Sequence, residues 1–443
     1  MVGGCRFEWA GSLPCIADVV GTLLVSSLSR DTTYPQWGKG AGCKMLEITG
    51  AYETAVAFAS VIEDEAIEQV RAMCDQPFAQ GAHVRIMPDV HAGKGCTIGT
   101  TMRVTDKIVP NIVGVDIGCG MYVVELGTDP VDLARLDDAC HHIPYGARVW
   151  DGRKEKFDLE RLRAYRHLKD AKRIHRSLGT LGGGNHFIEV DVSSNGVQYL
   201  VIHSGSRNLG TQIATYYQRL AIELHQGKEE YFERRDVLIA EYKAQGRRSE
   251  IHEALKELAW SAHEPDAPED LCWLYGSYMD DYLHDVAVCQ AYAARNREVI
   301  AEIILAGLGR EALGAFHTVH NYIDVDEMVL RKGAIAAHAG ELVLIPINMR
   351  DGSILARGKG NAEWNESAPH GAGRLMSRTD ARERLSVSEF ARQMKGVYTT
   401  CVGERTLDEA PMAYKSIDDI LGNLDETVEV VDILKPAFNF KAM

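Results

Sequence analysis

A chain of 443 residues, 46% hydrophobic and 25% charged, can bury a large core in one big domain or in two to three smaller ones. Its formal net charge of −15 excludes a protein coated in basic surface for non-specific nucleic-acid binding, so any polynucleotide contact must come from a local patch. Ten cysteines without tight spacing form neither a disulfide framework nor a zinc knuckle, which points to a reducing cytoplasm.

In chain order, residues 1–44 mix Gly, Ser, Pro and three Cys without periodicity, which predicts a weakly ordered extension and makes Met45 the expected start of the folded chain. Ile16–Leu28 is apolar but lacks the basic flank and cleavage site of a signal peptide, and no stretch reaches the ~20 apolar residues of a membrane span. Ala55–Cys74 reads as a helix after a short strand, with Ile62, Ala66, Ile67, Val70 and Met73 at helical spacing. His83–Met87, Thr97–Val104 and Met121–Leu126 alternate or run apolar between glycines, as strands do. Pro130–Cys140, with Asp129 placed to cap it, and Asp158–Leu178 read as helices. The basic run Arg153–Arg176 is either a local patch for an acidic polymer or a solvated helix face. Phe187–Val192 and Gln198–His203 form a hairpin around Ser193-Ser194-Asn195-Gly196. Helical patterns dominate from Thr211 to about Leu313; Gly333–Asn348 and Gly352–Ala356 return to strand, and Val387–Lys395 is a helix.

Chemistry-bearing residues gather in short turns between these elements. Val115-Asp116-Ile117-Gly118-Cys119-Gly120-Met121 sets a carboxylate three residues before a cysteine among glycines. Gly183-Gly184-Asn185-His186-Phe187-Ile188-Glu189, His203-Ser204-Gly205-Ser206-Arg207 and His320-Asn321 follow. Asp116, Cys119, His186, His203 and His320 can all bind a first-row metal, and the set suits zinc, manganese, iron or cobalt without choosing among them. Five ligands exceed one open tetrahedral site, whereas a cysteine sulfur bridging two ions leaves each with about three, so a two-metal site is expected. His370, in Pro369-His370-Gly371-Ala372-Gly373-Arg374, differs in kind. Small neighbours let the backbone approach phosphate or ribose oxygens, and imidazole is a good nucleophile toward phosphorus.

With Met87-Pro88-Asp89-Val90-His91-Ala92-Gly93-Lys94-Gly95, Arg331-Lys332-Gly333-Ala334, Ala413-Tyr414-Lys415 and Lys441, these motifs make the chain resemble the RNA-splicing ligase RtcB family from about Met45 to the C-terminus. The resemblance implies an α/β (α+β) fold: one catalytic domain over 45–443 with mixed sheets around a deep two-metal pocket; 211–313, helical in pattern and without a signature motif, is expected to be a helical insertion. It implies two Mn²⁺ ions, one on Asp116, Cys119 and His186, the other on Cys119, His203 and His320. It also implies that His370 is guanylylated by GTP, that the guanylate passes to an RNA 3′-phosphate, and that a 5′-hydroxyl displaces GMP. A 2′,3′-cyclic phosphate end is opened first. The partner is thus RNA with broken ends, in tRNA splicing or RNA repair, and some relatives need an activating protein.

The resemblance further implies that guanine is read by Glu189, whose carboxylate can accept from N1–H and the exocyclic amine, and by Lys441. Asn185, His186, Phe187, Ile188, His320, Asn321, Pro346, Ile347, Asn348, Met349, Ser353, Gly371, Ala372 and Gly373 complete the expected nucleotide pocket. Two departures mark a divergent branch. Pro346-Ile347-Asn348-Met349-Arg350 stands where the family commonly has Pro-Gly-Ser-Met-Gly, and Pro369 stands where a Cys often precedes the nucleophile. Asn348 keeps hydrogen-bonding capacity, and Asp89 and His91 are candidate supports for a metal ligand or phosphate. The competing readings are a two-metal phosphodiesterase or nuclease, which needs neither His370 nor Lys441, and a non-catalytic RNA-binding relative.

Overall fold

A computed structural model describes residues 45–442 except 60, 61, 94, 259 and 261, so the expected extension before Met45 lies outside the described residues. Two large sheets carry the architecture. The first orders its strands as Leu46–Thr49, Thr54–Ala57, Arg85–His91, Ile98–Arg103, Val329–Lys332 and Asn321–Asp324. Its one parallel pairing, Val56 with Arg85, requires a crossover, which the helix Asp64–Cys74 supplies. The second sheet is antiparallel throughout, in the order Gly314–Val319, Gly120–Gly127, Gln198–Ser204, Phe187–Val192, Val428–Lys441, Gly352–Gly358 and Leu342–Asn348.

The period of two along these strands separates core from pocket. Ile188, Val190, Leu200, Ile202, Phe438 and Phe440 point to one face and pack with Leu136, Ile300 and Ile304 of the covering helices. The intervening residues, Phe187, Glu189, His203, Asn439 and Lys441, turn to the other face, where they line a cavity. The helix Gly276–Leu308 buries Asn296 and Arg297 among its apolar residues beneath the sheet. Farther out, the helices Glu229–Ala244 and Ile251–Glu257 bury no residue.

Several elements differ from their sequence reading for identifiable reasons. Ala55–Cys74 divides into the strand Thr54–Ala57 and a helix that begins only at Asp64, where acidic residues fill the first turn and favour an N-terminus. The cap of the next helix is Asp132, which accepts from Arg135 N at 3.1 Å, and the helix runs Leu133–His142. Asp158–Leu178 breaks into short turns and the helix Ala171–Ser177. There the Asp285 carboxylate accepts from Arg163 N at 2.7 Å and Ala164 N at 2.9 Å, drawing those groups out of helical bonding. Gly333–Asn348 is two strands, Ala334–Ala336 and Leu342–Asn348. The C-terminal strand Val428–Lys441 has no counterpart in the sequence reading, because Pro436 and a register shift between Pro436 and Phe438 interrupt its alternation.

Candidate active site

Cys119 sits where the Val115–Met121 turn enters the strand Gly120–Gly127, and its Sγ lies 3.4 Å from His186 Nε2 and 3.3 Å from His203 Nε2. Two groups flank it. His186 Nε2 is 3.0 Å from Asp116 Oδ2 on one side, and His203 Nε2 is 3.3 Å from His320 Nε2 on the other. The turns are tight enough to need glycine. A Cβ on Gly205 would stand 2.1 Å from Asp116 Oδ1, and one on Gly182, at φ +94°, would stand 2.3 Å from His186 Nδ1.

Whether these side chains fit a cation follows from their outer hydrogen bonds. His186 Nδ1 faces the Leu181 carbonyl at 2.9 Å and His203 Nδ1 faces the Asn185 carbonyl at 3.1 Å. A carbonyl only accepts, so both Nδ1 atoms carry the proton and both Nε2 atoms present bare lone pairs. Lone pairs aimed at a sulfur and at one another are repulsive without a positive charge between them, and the donor set therefore suits a borderline divalent metal. Burial, then the Asp116 carboxylate, pushes the Cys119 thiol well up; burial, then a neighbouring imidazole, pushes His203 and His320 well down. A bound cation reverses the first tendency and suits the second, since metals take thiolate and neutral imidazole.

From the helix Gly276–Leu308, Arg297 NH1 donates to the carbonyls of Gly118 at 2.7 Å and Ser204 at 2.8 Å, and Asn296 Nδ2 donates to Ser204 Oγ at 3.0 Å. The helical segment thus holds the turns that carry Cys119 and His203. Its sequence offered no signal for this beyond two polar residues within an apolar helical pattern.

His370 stands beside the cluster, its ring centroid 5.1 Å from that of His320. Its Nδ1 donates to Asp89 Oδ2 at 2.7 Å, which leaves Nε2 as the unprotonated nitrogen. Asp89 therefore supports this histidine rather than a metal ligand, and His91 Nδ1 bonds the Asp89 carbonyl at 3.0 Å.

A cavity of about 240 Å³ opens from His203, His320 and His370 toward Glu189 and Lys441. Asn185, Phe187, Pro346, Ile347, Asn348, Met349, Gly371, Ala372 and Gly373 also line it. Ile188 faces the opposite core, Ser353 is fully buried behind the wall, and Asn321 Oδ1 accepts from Gly333 N at 2.9 Å. Asn348 is spent on its own turn: Oδ1 accepts from Arg350 N and Asp351 N, both at 3.0 Å, and Nδ2 donates to Asp351 at 2.8 Å. Ile347 and Met349 bury themselves in the cores behind.

Sequence reasoning missed Glu409 and Asn439 in this wall. Glu409 accepts from Lys441 Nζ at 2.8 Å and Tyr414 Oη at 2.7 Å, and pairs with Arg378 at 2.6 Å. Burial alone would raise its carboxyl, but Lys441 and Arg378 carry it down to about 2. Asn439 shares a face with Lys441 only because both lie on a strand that the sequence did not announce, and Glu409 left no local trace. On the far side of Asp116 and His186, a second cavity of about 490 Å³ is lined by Arg173 and Arg207.

Fold and cluster define an α/β protein with a pocket that joins a candidate metal centre to a carboxylate-oriented histidine. The chain belongs to the tRNA-splicing ligase RtcB family, which it matches over residues 69–167 and 152–442. The RNA-splicing ligase RtcB of Escherichia coli (strain K12) is 32% identical over 416 aligned residues, covering 84% of this chain and 93% of that protein. The tRNA-splicing ligase RtcB of Archaeoglobus fulgidus is 26% identical over 453 aligned residues, covering 82% and 87% respectively.

Proposed function

We propose that the protein is a GTP- and manganese-dependent RNA ligase that joins a 3′-phosphate or 2′,3′-cyclic phosphate end to a 5′-hydroxyl end through guanylylated His370. The observation that carries this reading is the Asp89–His370 hydrogen bond beside the cysteine–histidine cluster. A two-metal phosphodiesterase can activate water and leaving group through its ions and does not require a covalent histidine. Among the described residues no helix is long and apolar enough to cross a membrane, and the cysteines are buried and free.

Asp116, Cys119 and His186 would hold one ion, and Cys119, His203 and His320 the other, supplying Lewis-acid neutralisation of phosphate charge. His370 Nε2 attacks the α-phosphorus of GTP; a P–N bond forms as the bond to the β-phosphate oxygen breaks, and pyrophosphate leaves. Asp89 keeps the proton on Nδ1 and stabilises the imidazolium that develops. An oxygen of the RNA 3′-phosphate then attacks the same phosphorus, the P–N bond breaks, and neutral His370 is regenerated. The RNA 5′-hydroxyl finally attacks the activated 3′-phosphorus, GMP leaves, and the hydroxyl proton passes to solvent.

Glu189 accepts from the guanine edge, and the Lys441 ammonium, positioned by Glu409, lies 5.3 Å over the Phe187 ring beside it. The basic run Arg153–Arg176 borders the cavity at Asp116 through Arg173, which gives RNA a positively charged approach. Every side chain assigned here lies between Asp89 and Lys441. Incubating the protein with an RNA bearing a 3′-phosphate, a 5′-hydroxyl RNA, GTP and Mn²⁺ tests the reading. A joined product that requires GTP supports it; cleavage without joining would replace it with the nuclease reading.

A further inference from the structure

Two residues after Glu189, on the same strand, stands a second acid, Asp191. Residues two apart on a strand share a face, so both carboxyls turn toward the pocket side, and both are buried, Asp191 completely. Donors there are scarce. Asn439, paired across from Glu189, gives its side-chain amide to Glu189 Oε2. Asp191 draws no well-formed hydrogen bond among the described residues, and the buried Ser353 hydroxyl and the Glu189 carboxyl are its polar neighbours.

Two lysines act on the pair. Lys441 influences Glu189 but donates to Glu409 at 2.8 Å, and Lys435, opposite Val192 in the neighbouring strand, acts on Asp191 only through space. Two adjacent buried anions with only an amide and a hydroxyl beside them are unfavourable, whereas a proton on one carboxyl supplies a further donor and removes a charge. Burial raises both carboxyls above the usual carboxylate range; the Asp191 charge raises Glu189 further, while hydrogen bonding to Glu189 and Ser353, and then Lys435, hold Asp191 back.

We propose that Asp191 is a specificity-determining residue, which shares one proton with Glu189 and so sets whether the base-reading carboxyl meets the nucleotide as acceptor or as donor. The proposal rests on the assignment of Glu189 to the base edge. With the proton on Asp191, its O–H donates to Glu189, which stays an anion and accepts from guanine N1–H and the exocyclic amine. When a second proton enters from solvent, Glu189 becomes a carboxylic acid. Its O–H then opposes guanine N1–H donor to donor, and instead matches adenine, whose N1 accepts while its amine donates to the remaining oxygen. The preference for guanine is therefore proton-linked, and acidification relaxes it.

Equilibrium dialysis of labelled GMP and AMP against the full chain with Mn²⁺ tests this without any covalent step. Nucleotide phosphate ionisation is common to both ligands and cancels in their ratio of dissociation constants. From about pH 8 to about pH 5.5 the preference for GMP is expected to fall about tenfold in the native protein. In Asp191→Asn, whose amide donates to Glu189 at every pH, it should change less than about twofold. Equal pH dependence in both proteins, or none in the native one, overturns the proposal and leaves Glu189 as the base reader. Binding with no preference for GMP at any pH overturns the base-reading assignment and this proposal with it. Should Asp191→Asn fail to fold, infrared titration of the native protein decides: a protonated-carboxyl band persisting to about pH 7 is expected, and its disappearance by about pH 5 refutes the shared proton.

Discussion

On the Cys119 side of the pocket, Asp116, Cys119 and His186 sit in the turns that their own motifs build, His203 stands at the end of the strand Gln198–Ser204, and main-chain carbonyls fix the His186 and His203 imidazoles. On the Glu189 side the wall is assembled by strand pairing: Glu189 faces Asn439, Phe187 faces Lys441, and Glu409 arrives from a separate segment to hold the lysine. The contrast teaches where a short motif suffices. A metal centre asks only for ligand atoms within a few ångströms, which tight turns deliver. A base-reading wall needs a face, and a face is a property of a whole sheet.

Breaking the first side should have the largest effect. Arg297→Met leaves the Gly118 and Ser204 carbonyls buried without their donor, at about 1–3 kcal/mol each. Denaturant unfolding should show a loss of about 2–6 kcal/mol. A loss below about 1 kcal/mol would mean that the helix does not hold these turns.

The second side is probed by Glu409→Gln. Its folded carboxyl is depressed from 4.5 to about 2, which corresponds to about 3 kcal/mol of stability at neutral pH. Because the folded value is lowered, that contribution is fully present above 4.5 and disappears as pH falls toward 2. Unfolding measured across this range should show native and variant converging in acid. A gap independent of pH would place the role of Glu409 in packing rather than in its pairing with Lys441 and Arg378.

Cys119→Ser sharpens the comparison within the metal side. A hydroxyl that does not ionise at neutral pH replaces a sulfur lying between two imidazoles, so affinity for both proposed ions should fall together, by at least about tenfold. Calorimetric titration with Mn²⁺ would contradict the bridging role if one ion alone were lost.

The same contrast explains what was legible in the sequence. Asp116, Cys119, His186, His203, His320 and His370 could be read because glycine-rich turns announce themselves locally. The hairpin Phe187–Val192 with Gln198–Ser204 could be read because its alternation is uninterrupted. The strand Val428–Lys441 could not, since Pro436 breaks its pattern and its identity as a central strand comes from partners far away in sequence. Glu409 had no local signature, and the anchoring role of Arg297 depends on where a 33-residue helix docks. Asn348 shows the converse: the residue was legible, but the turn that consumes its amide was not.

The central claim is that His370 carries the guanylate while other residues hold the metals. Incubation of the native protein and of His370→Ala with α-labelled GTP and Mn²⁺, followed by denaturing electrophoresis and metal analysis, tests it most directly. The native protein should become covalently labelled; the variant should lose the label entirely and keep the same metal content, because His370 Nδ1 bonds Asp89 outside the cysteine–histidine cluster. Persistent labelling of His370→Ala would contradict the claim.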